Sequence, residues 1–266
     1  MEDRPPNAAS RPAARLEGCA FPLQLELETV ARVLGHLLSG NQACLGVGFA
    51  SPVACRRLRA CGGYWHAVAA DRETCDRLAA ALGEEVALST PQDLLPFEDK
   101  QFDIVVLARG ALTGDRAADT ALVRECHRVL KVSGCLVLTV EYAKTFGLAQ
   151  LLQPRALSRA RGGGQYTEAG LFDLLKTGFD WLGLRTYCRF WVQLVRQWVG
   201  RQPDAADSPL LAALYWAARA GDCLLFFTRG YLVTAYGRRK GWRPRQTPKL
   251  ADGRSISEAV LQKPGR

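Results

Sequence analysis

The residues best placed to do chemistry begin at ACLGVGFASP, residues 43–52. Gly46 and Gly48 stand in G-x-G spacing where a short apolar run ends, and Ala50 follows where a third glycine often falls. Glycines there let the backbone turn tightly and approach a ligand, and the next helix offers free N–H groups to an anion. A tight strand-to-helix turn needs the same glycines, so the spacing alone leaves both readings open. Asp71 comes roughly 20 residues later, directly after a second apolar run, where a carboxylate can accept both ribose hydroxyls of an adenine nucleotide. It is equally placed to cap the helix that starts near Arg72. No Ser/His/Asp or Cys/His arrangement accompanies these residues. His36, His66 and His127 fall inside apparent helices or strands and read as structural. The nine cysteines form no CxxC pair and no Cys/His cluster, so the spacing predicts no metal site and points to free thiols in a reducing cytoplasm.

Such residues need a frame, and the chain alternates short apolar strands with amphipathic helices. Helical periodicity runs from Leu25 to Leu38, Pro52 to Cys61, Arg72 to Leu82, Ala117 to Lys131 and Thr167 to Lys176. Strands are predicted at 43–49, 64–70, 86–88, 102–107, 135–140, 183–188 and 231–236. Alternation of this kind implies a mostly parallel sheet with helices on both faces. Runs such as IVVL and CLVLTV fit strands buried on both sides.

Two further segments make the pattern specific: LPFEDKQFDIVVL at 95–107 and LVRECHRVLKVSGCLVL at 122–138. With LGVGFA and Asp71, in this order and spacing, they resemble the class I S-adenosylmethionine-dependent methyltransferases, most closely the small-molecule, type 11-like branch. Val132 and Ser133 stand where that family has Pro and Gly. The resemblance covers about residues 25–190 and the last strand. It implies a Rossmann-like α/β fold: seven strands, mostly parallel, the last antiparallel, with a helical insert before it. It implies that Gly46, Gly48 and Ala50 pass the methionine end of S-adenosylmethionine and that Asp71 holds the ribose. Asp93 and Ala108 would complete the cofactor site. Two positions depart from the family: Cys44 and Pro91 replace acids usual there. Among residues at strand ends, Glu141 and Tyr142 are the expected catalytic pair, Glu141 as base or substrate contact, and Arg109 suits an anionic acceptor.

The expected organisation is a flexible segment at 1–20, a methyltransferase-like core at 21–189 and 229–238, a helical cap at 190–228 and a basic tail at 239–266. The first residues lack the apolar run of a secretory signal. RGGG at 161–164 follows no strand and reads as a loop. The cap contains YCRFWVQLVRQW at 187–198 and an apolar run at 209–227 that Arg219 and Asp222 interrupt. A spanning helix is not expected; packing on the sheet, binding an apolar acceptor and lying in a membrane interface all fit. The net charge of +9 is concentrated, because residues 228–266 hold ten basic and two acidic side chains. The rest is nearly neutral, which argues against nucleic acid as the partner of the core and makes the tail a candidate contact with anionic membrane. The expected activity is methyl transfer to a small-molecule or lipid-linked acceptor in the cytoplasm or at a membrane surface. The alternative is a catalytically inactive binding or scaffold protein. The sequence leaves the acceptor and the oligomeric state open.

Overall fold

A computed structural model describes residues 21–89, 95–143, 165–199, 209–225 and 230–241. The helices are α1 (Phe21–Leu37), α2 (Pro52–Arg59), α3 (Arg72–Leu82), α4 (Arg116–Val129), α5 (Glu168–Leu175), α6 (Phe190–Val199) and α7 (Pro209–Leu224). The strands are β1 (Ala43–Val47), β2 (Tyr64–Ala69), β3 (Ala87–Leu88), β4 (Phe102–Leu107), β5 (Leu130–Tyr142), β6 (Gln165–Tyr166), β7 (Phe179–Tyr187) and β8 (Leu232–Arg239).

Local signals set the helix ends. Ser51 accepts from the Ala54 N–H with Pro52 at the first helical position, and Thr167 accepts from Gly170 N–H. Gly83 closes α3 in the left-handed conformation (φ 68°), which glycine adopts at little cost.

The strand order is β3-β2-β1-β4-β5-β8-β7, with the short β6 paired to β5 off this path. All pairings are parallel except β5 with β8 and β7 with β8, which are antiparallel. This is the seven-stranded, mostly parallel sheet with an antiparallel last strand, and helices α6 and α7 form the insert before that strand. Strand alternation sends side chains to two buried layers. Leu45, Val105, Leu107, Leu136 and Leu138 face α4 and α5. Cys44, Ile104, Val106 and Val137 face α1, α2 and α3. A smaller third cluster joins α6 and α7 to the ends of β7 and β8 through Val192, Tyr215, Cys188 and Leu232.

Several boundaries differ from the sequence reading. β5 starts at Leu130 rather than Cys135, and α4 ends at Val129 rather than Lys131. Leu130 pairs with Phe102, and regular pairing resumes at Cys135 after a bulge. Ser133 occupies the left-handed region there (φ 67°). β7 begins at Phe179 rather than Gly183, and β8 runs to Arg239 rather than Tyr236, because the two strands pair along their full length. The basic tail therefore begins inside the last strand. Pro91, Asp93 and the RGGG loop lie outside the described residues. Among the described residues no helix is long and apolar enough to cross a membrane.

Candidate active site

The order β1-β4 leaves a crossover, and ligands of open α/β sheets bind at such a point, beyond the carboxyl ends of the strands. The glycine turn sits at that edge. Gly48 has φ 76°, and a Cβ there would stand 3.0 Å from the Ala111 Cβ. The loop after β4 thus approaches the turn too closely for a side chain. Gly48 N–H donates to the Val68 carbonyl (3.1 Å), and Ala108 N–H donates to the Val47 carbonyl (2.9 Å), so the ladder holds the turn and the end of β4 together. A Cβ on Gly46 would stand 3.3 Å from the Phe49 ring, which is buried beneath the turn. Ala50 is exposed at the head of α2.

Asp71 stands exposed at the end of β2 and caps α3: its Oδ1 accepts from the Thr74 N–H at 2.8 Å. Hydrogen bonds from Thr74 hold its carboxyl below the usual range. The cap fixes the carboxylate at the sheet edge and leaves it exposed to a ligand.

Cys44, the family's acidic position, is fully buried, and its thiol donates to the Gln42 carbonyl at 3.6 Å. Burial, helped by the nearby Asp103 charge, pushes the thiol up to about 12. It is a neutral core side chain. Among the described residues, Asp71 suits the ribose of a nucleoside-type cofactor, the glycine turn leaves room for its amino-acid end, and position 44 offers that end no charged group.

Glu141 ends β5 in a buried polar cluster. Its carboxylate accepts from the Tyr231 hydroxyl at the start of β8 and lies 3.5 Å from Nη1 of Arg109. Arg109 also pairs with Glu26 of α1 at 3.4 Å, and its backbone N–H donates to the same carboxylate. Glu26 is only 3 % exposed. Tyr187, at the end of β7, accepts from Thr234; burial and then the Glu26 charge raise its hydroxyl well above the usual range. Five elements thus meet at one edge: α1, β5, β7, β8 and the loop after β4. Tyr142 does not join this group. Strand alternation turns it to the opposite face, where it is buried with the α4–α5 layer.

Two sets of contacts tie the motif segments to one another. Arg128 donates to the carbonyls of Leu95 (2.9 Å) and Phe97 (2.8 Å), to Asp99 (2.8 Å) and to Glu125 (2.8 Å). The arginine of RVLK is therefore the clamp on the LPFED segment. Asp119, 1 % exposed, accepts from the N–H groups of Thr113 and Gly114 at 2.8 Å and from the Tyr166 hydroxyl, tying the loop after β4 to β6. The sequence reading missed Glu26, Asp119, Tyr187 and Tyr231. Glu26 had a signal: it shares the helical face of Val30 and Val33, so an acid falls where the apolar stripe requires a core residue. His66 packs edge-on against Phe97 and Phe102, and His127 against Phe179.

Residues 44–138 match the model of the family described as a methyltransferase domain. An S-adenosylmethionine-dependent methyltransferase from Mesorhizobium loti superposes with a TM-score of 0.52 at 16% identity, over 80% of this chain and 100% of that one. Another from Methanosarcina mazei gives 0.51 at 16% identity, over 78% and 96%. The (4+2)-cyclase SpnF gives 0.53 at 20% identity, over 80% and 81%. No curated protein matches by sequence. The match over residues 44–138 and the shared fold agree: this part of the chain resembles a methyltransferase domain, and the sheet is the one such enzymes use.

Proposed function

We propose that the chain transfers the methyl group of S-adenosylmethionine to a small-molecule or lipid-linked acceptor bound beside Glu141. The observation that carries this is the buried Glu141–Arg109–Glu26–Tyr231 cluster at the carboxyl edge of the sheet, next to the glycine turn. When bound, the cofactor supplies an already activated methyl group, so the protein's part is alignment and proton transfer. Asp71 receives the ribose hydroxyls, and the turn at Gly46 and Gly48 admits the rest of the cofactor, with Ala108 at its floor. Tyr231 and Arg109 hold the Glu141 carboxylate from two sides. Glu141 takes the proton of an acceptor hydroxyl or amine as the methyl is transferred. The α6–α7 insert, with Trp191 and Trp216 exposed, forms the apolar wall of the acceptor site.

Glu141→Gln keeps the shape and removes the base. It should lower kcat by about 10²–10⁴-fold with unchanged affinity for S-adenosylmethionine. Unchanged kcat on an accepted substrate would remove Glu141 from the chemistry.

The uncharged Cys44 favours a second reading, a methyltransferase-like protein that binds without catalysing. Millimolar or absent binding of S-adenosylmethionine and its demethylated product, by folded protein, would select it. The basic tail supports contact with anionic membrane. Truncation after Gly241, which spares β8, should abolish sedimentation with anionic vesicles; persistent sedimentation would assign any contact to the insert.

A further inference from the structure

A second cleft lies at the opposite edge of the sheet. Its volume is about 640 Å³, and it is bounded by the C-terminal half of α4, the end of α5 and the paired ends of β7 and β8. Phe179 and Arg239 face each other in that pairing, at the amino edge of the parallel strands, so the cleft is remote from Glu141. Its polar lining is dominated by cations. Two of them are already engaged: Arg128 holds Glu125 and Asp99, and Lys240 donates to the Lys176 carbonyl. Two make no direct ion pair, although the Asp99 carboxylate on the same wall acts on Arg239 from a distance. Among the described residues, neither Arg124 nor Arg239 has an ion pair. Arg124 is exposed on α4. Arg239 donates one Nη to the Leu130 carbonyl, and its Nε is buried with no hydrogen-bond partner.

His127 stands in the same wall. Gly178 allows its close approach, since a Cβ there would fall 2.9 Å from the ring. Burial and then the Arg239 charge hold the imidazole below its usual range, so it faces the Arg239 guanidinium as a neutral neighbour. Leu174, Val123 and Phe179 give the cleft an apolar side. Planar guanidiniums bind phosphate oxygens by paired, charge-assisted hydrogen bonds, and an apolar wall accommodates the organic remainder.

We infer that this cleft binds a phosphoryl group carrying an apolar substituent, with the phosphoryl between Arg124 and Arg239 and the substituent against Leu174 and Phe179. Such a group belongs either to a soluble organic phosphate or to a phospholipid headgroup. The site is independent of the methyl-transfer reading.

The test uses the full chain at low salt, with inorganic pyrophosphate as probe and the His127 ring followed by NMR, its signal assigned with His127→Gln. Saturable displacement of that signal is expected, with the imidazole titrating at higher pH once the anion is bound. Arg124→Ala, which removes an exposed side chain, should weaken pyrophosphate by about tenfold, the loss of a charge-assisted contact, and leave S-adenosylmethionine binding unchanged. No displacement of His127 at millimolar pyrophosphate would overturn the site. So would displacement unaltered by Arg124→Ala. Vesicles of phosphatidylglycerol separate the two sources: sedimentation that depends on Arg124 assigns a lipid headgroup, and pyrophosphate binding without it assigns a soluble phosphate.

Discussion

Arg109→Met tests whether the buried cluster is an ionic unit. The guanidinium is the one cation within ion-pairing distance of Glu26 and Glu141 among the described residues, at 3.4 and 3.5 Å. The carboxylate side chains are 4 % and 11 % exposed, and that of Arg109 is 28 % exposed. At an effective dielectric of ~20, each pair is worth about 5 kcal/mol before desolvation. Most of that is offset by the cost of taking three charges from water. The relevant quantity is the penalty for removing this cation from two buried carboxylates, about 3–5 kcal/mol for a fully buried pair. Water reaching the partly exposed guanidinium site lowers the expected loss to about 2–3 kcal/mol. Met keeps the stem's packing, so this loss is electrostatic. Urea unfolding at neutral pH gives the value directly, with an unchanged slope confirming an unchanged fold. Glu26→Gln in the Arg109→Met background should recover at least ~1 kcal/mol, because it removes one of the two carboxylate charges that the guanidinium balanced. A single variant within ~0.5 kcal/mol of the parent, or a double variant equal to the sum of the singles, would refute the ionic account.

Two other outcomes follow from particular residues. Ser133 holds a left-handed φ of 67°, so Ser133→Gly should stabilise by about 0.5–1 kcal/mol in thermal or urea unfolding, and destabilisation would mean that its side chain matters more than its backbone. The Cys44 thiol is raised in the folded state, so its contribution is full below the unfolded thiol's ~8.5 and is lost as pH climbs toward about 12. By about pH 10 this amounts to ~2 kcal/mol, and Cys44→Ala should flatten the alkaline fall by that amount; an unchanged pH profile would show that Cys44 is not the group responsible.

The alternation of apolar strands and amphipathic helices carried the fold, because a parallel sheet buried on both faces writes itself as apolar runs. Strand ends were less legible. The strand is expected from Cys135, and only the Phe102–Leu130 pair reveals that it begins earlier, with Ser133 and Gly134 in a bulge. The site divides in the same way. Glycines and Asp71 act through their own backbone neighbourhood, so their spacing exposes them. Glu141 was visible as an acid at a strand end. Its companions come from far away in the chain: Glu26 joins through Arg109, 83 residues on, and Tyr231 lies 90 residues beyond Glu141. Tyr142 was misplaced beside Glu141 because adjacency in a strand means opposite faces. Arg128 was visible within a family motif, but its task of clamping residues 95–99 needs the loop's carbonyls in space.

The central claim is that this fold holds S-adenosylmethionine through Asp71 and the glycine turn. Calorimetry with Asp71→Asn and Asp71→Ala tests it most directly, because Asn retains a capping oxygen for Thr74 while removing the charge that faces the ribose. The account predicts saturable binding by the parent chain and more than tenfold weaker binding by both variants, with Asp71→Asn as stable as the parent. Equal affinity in all three, or no binding by the folded parent, would contradict it.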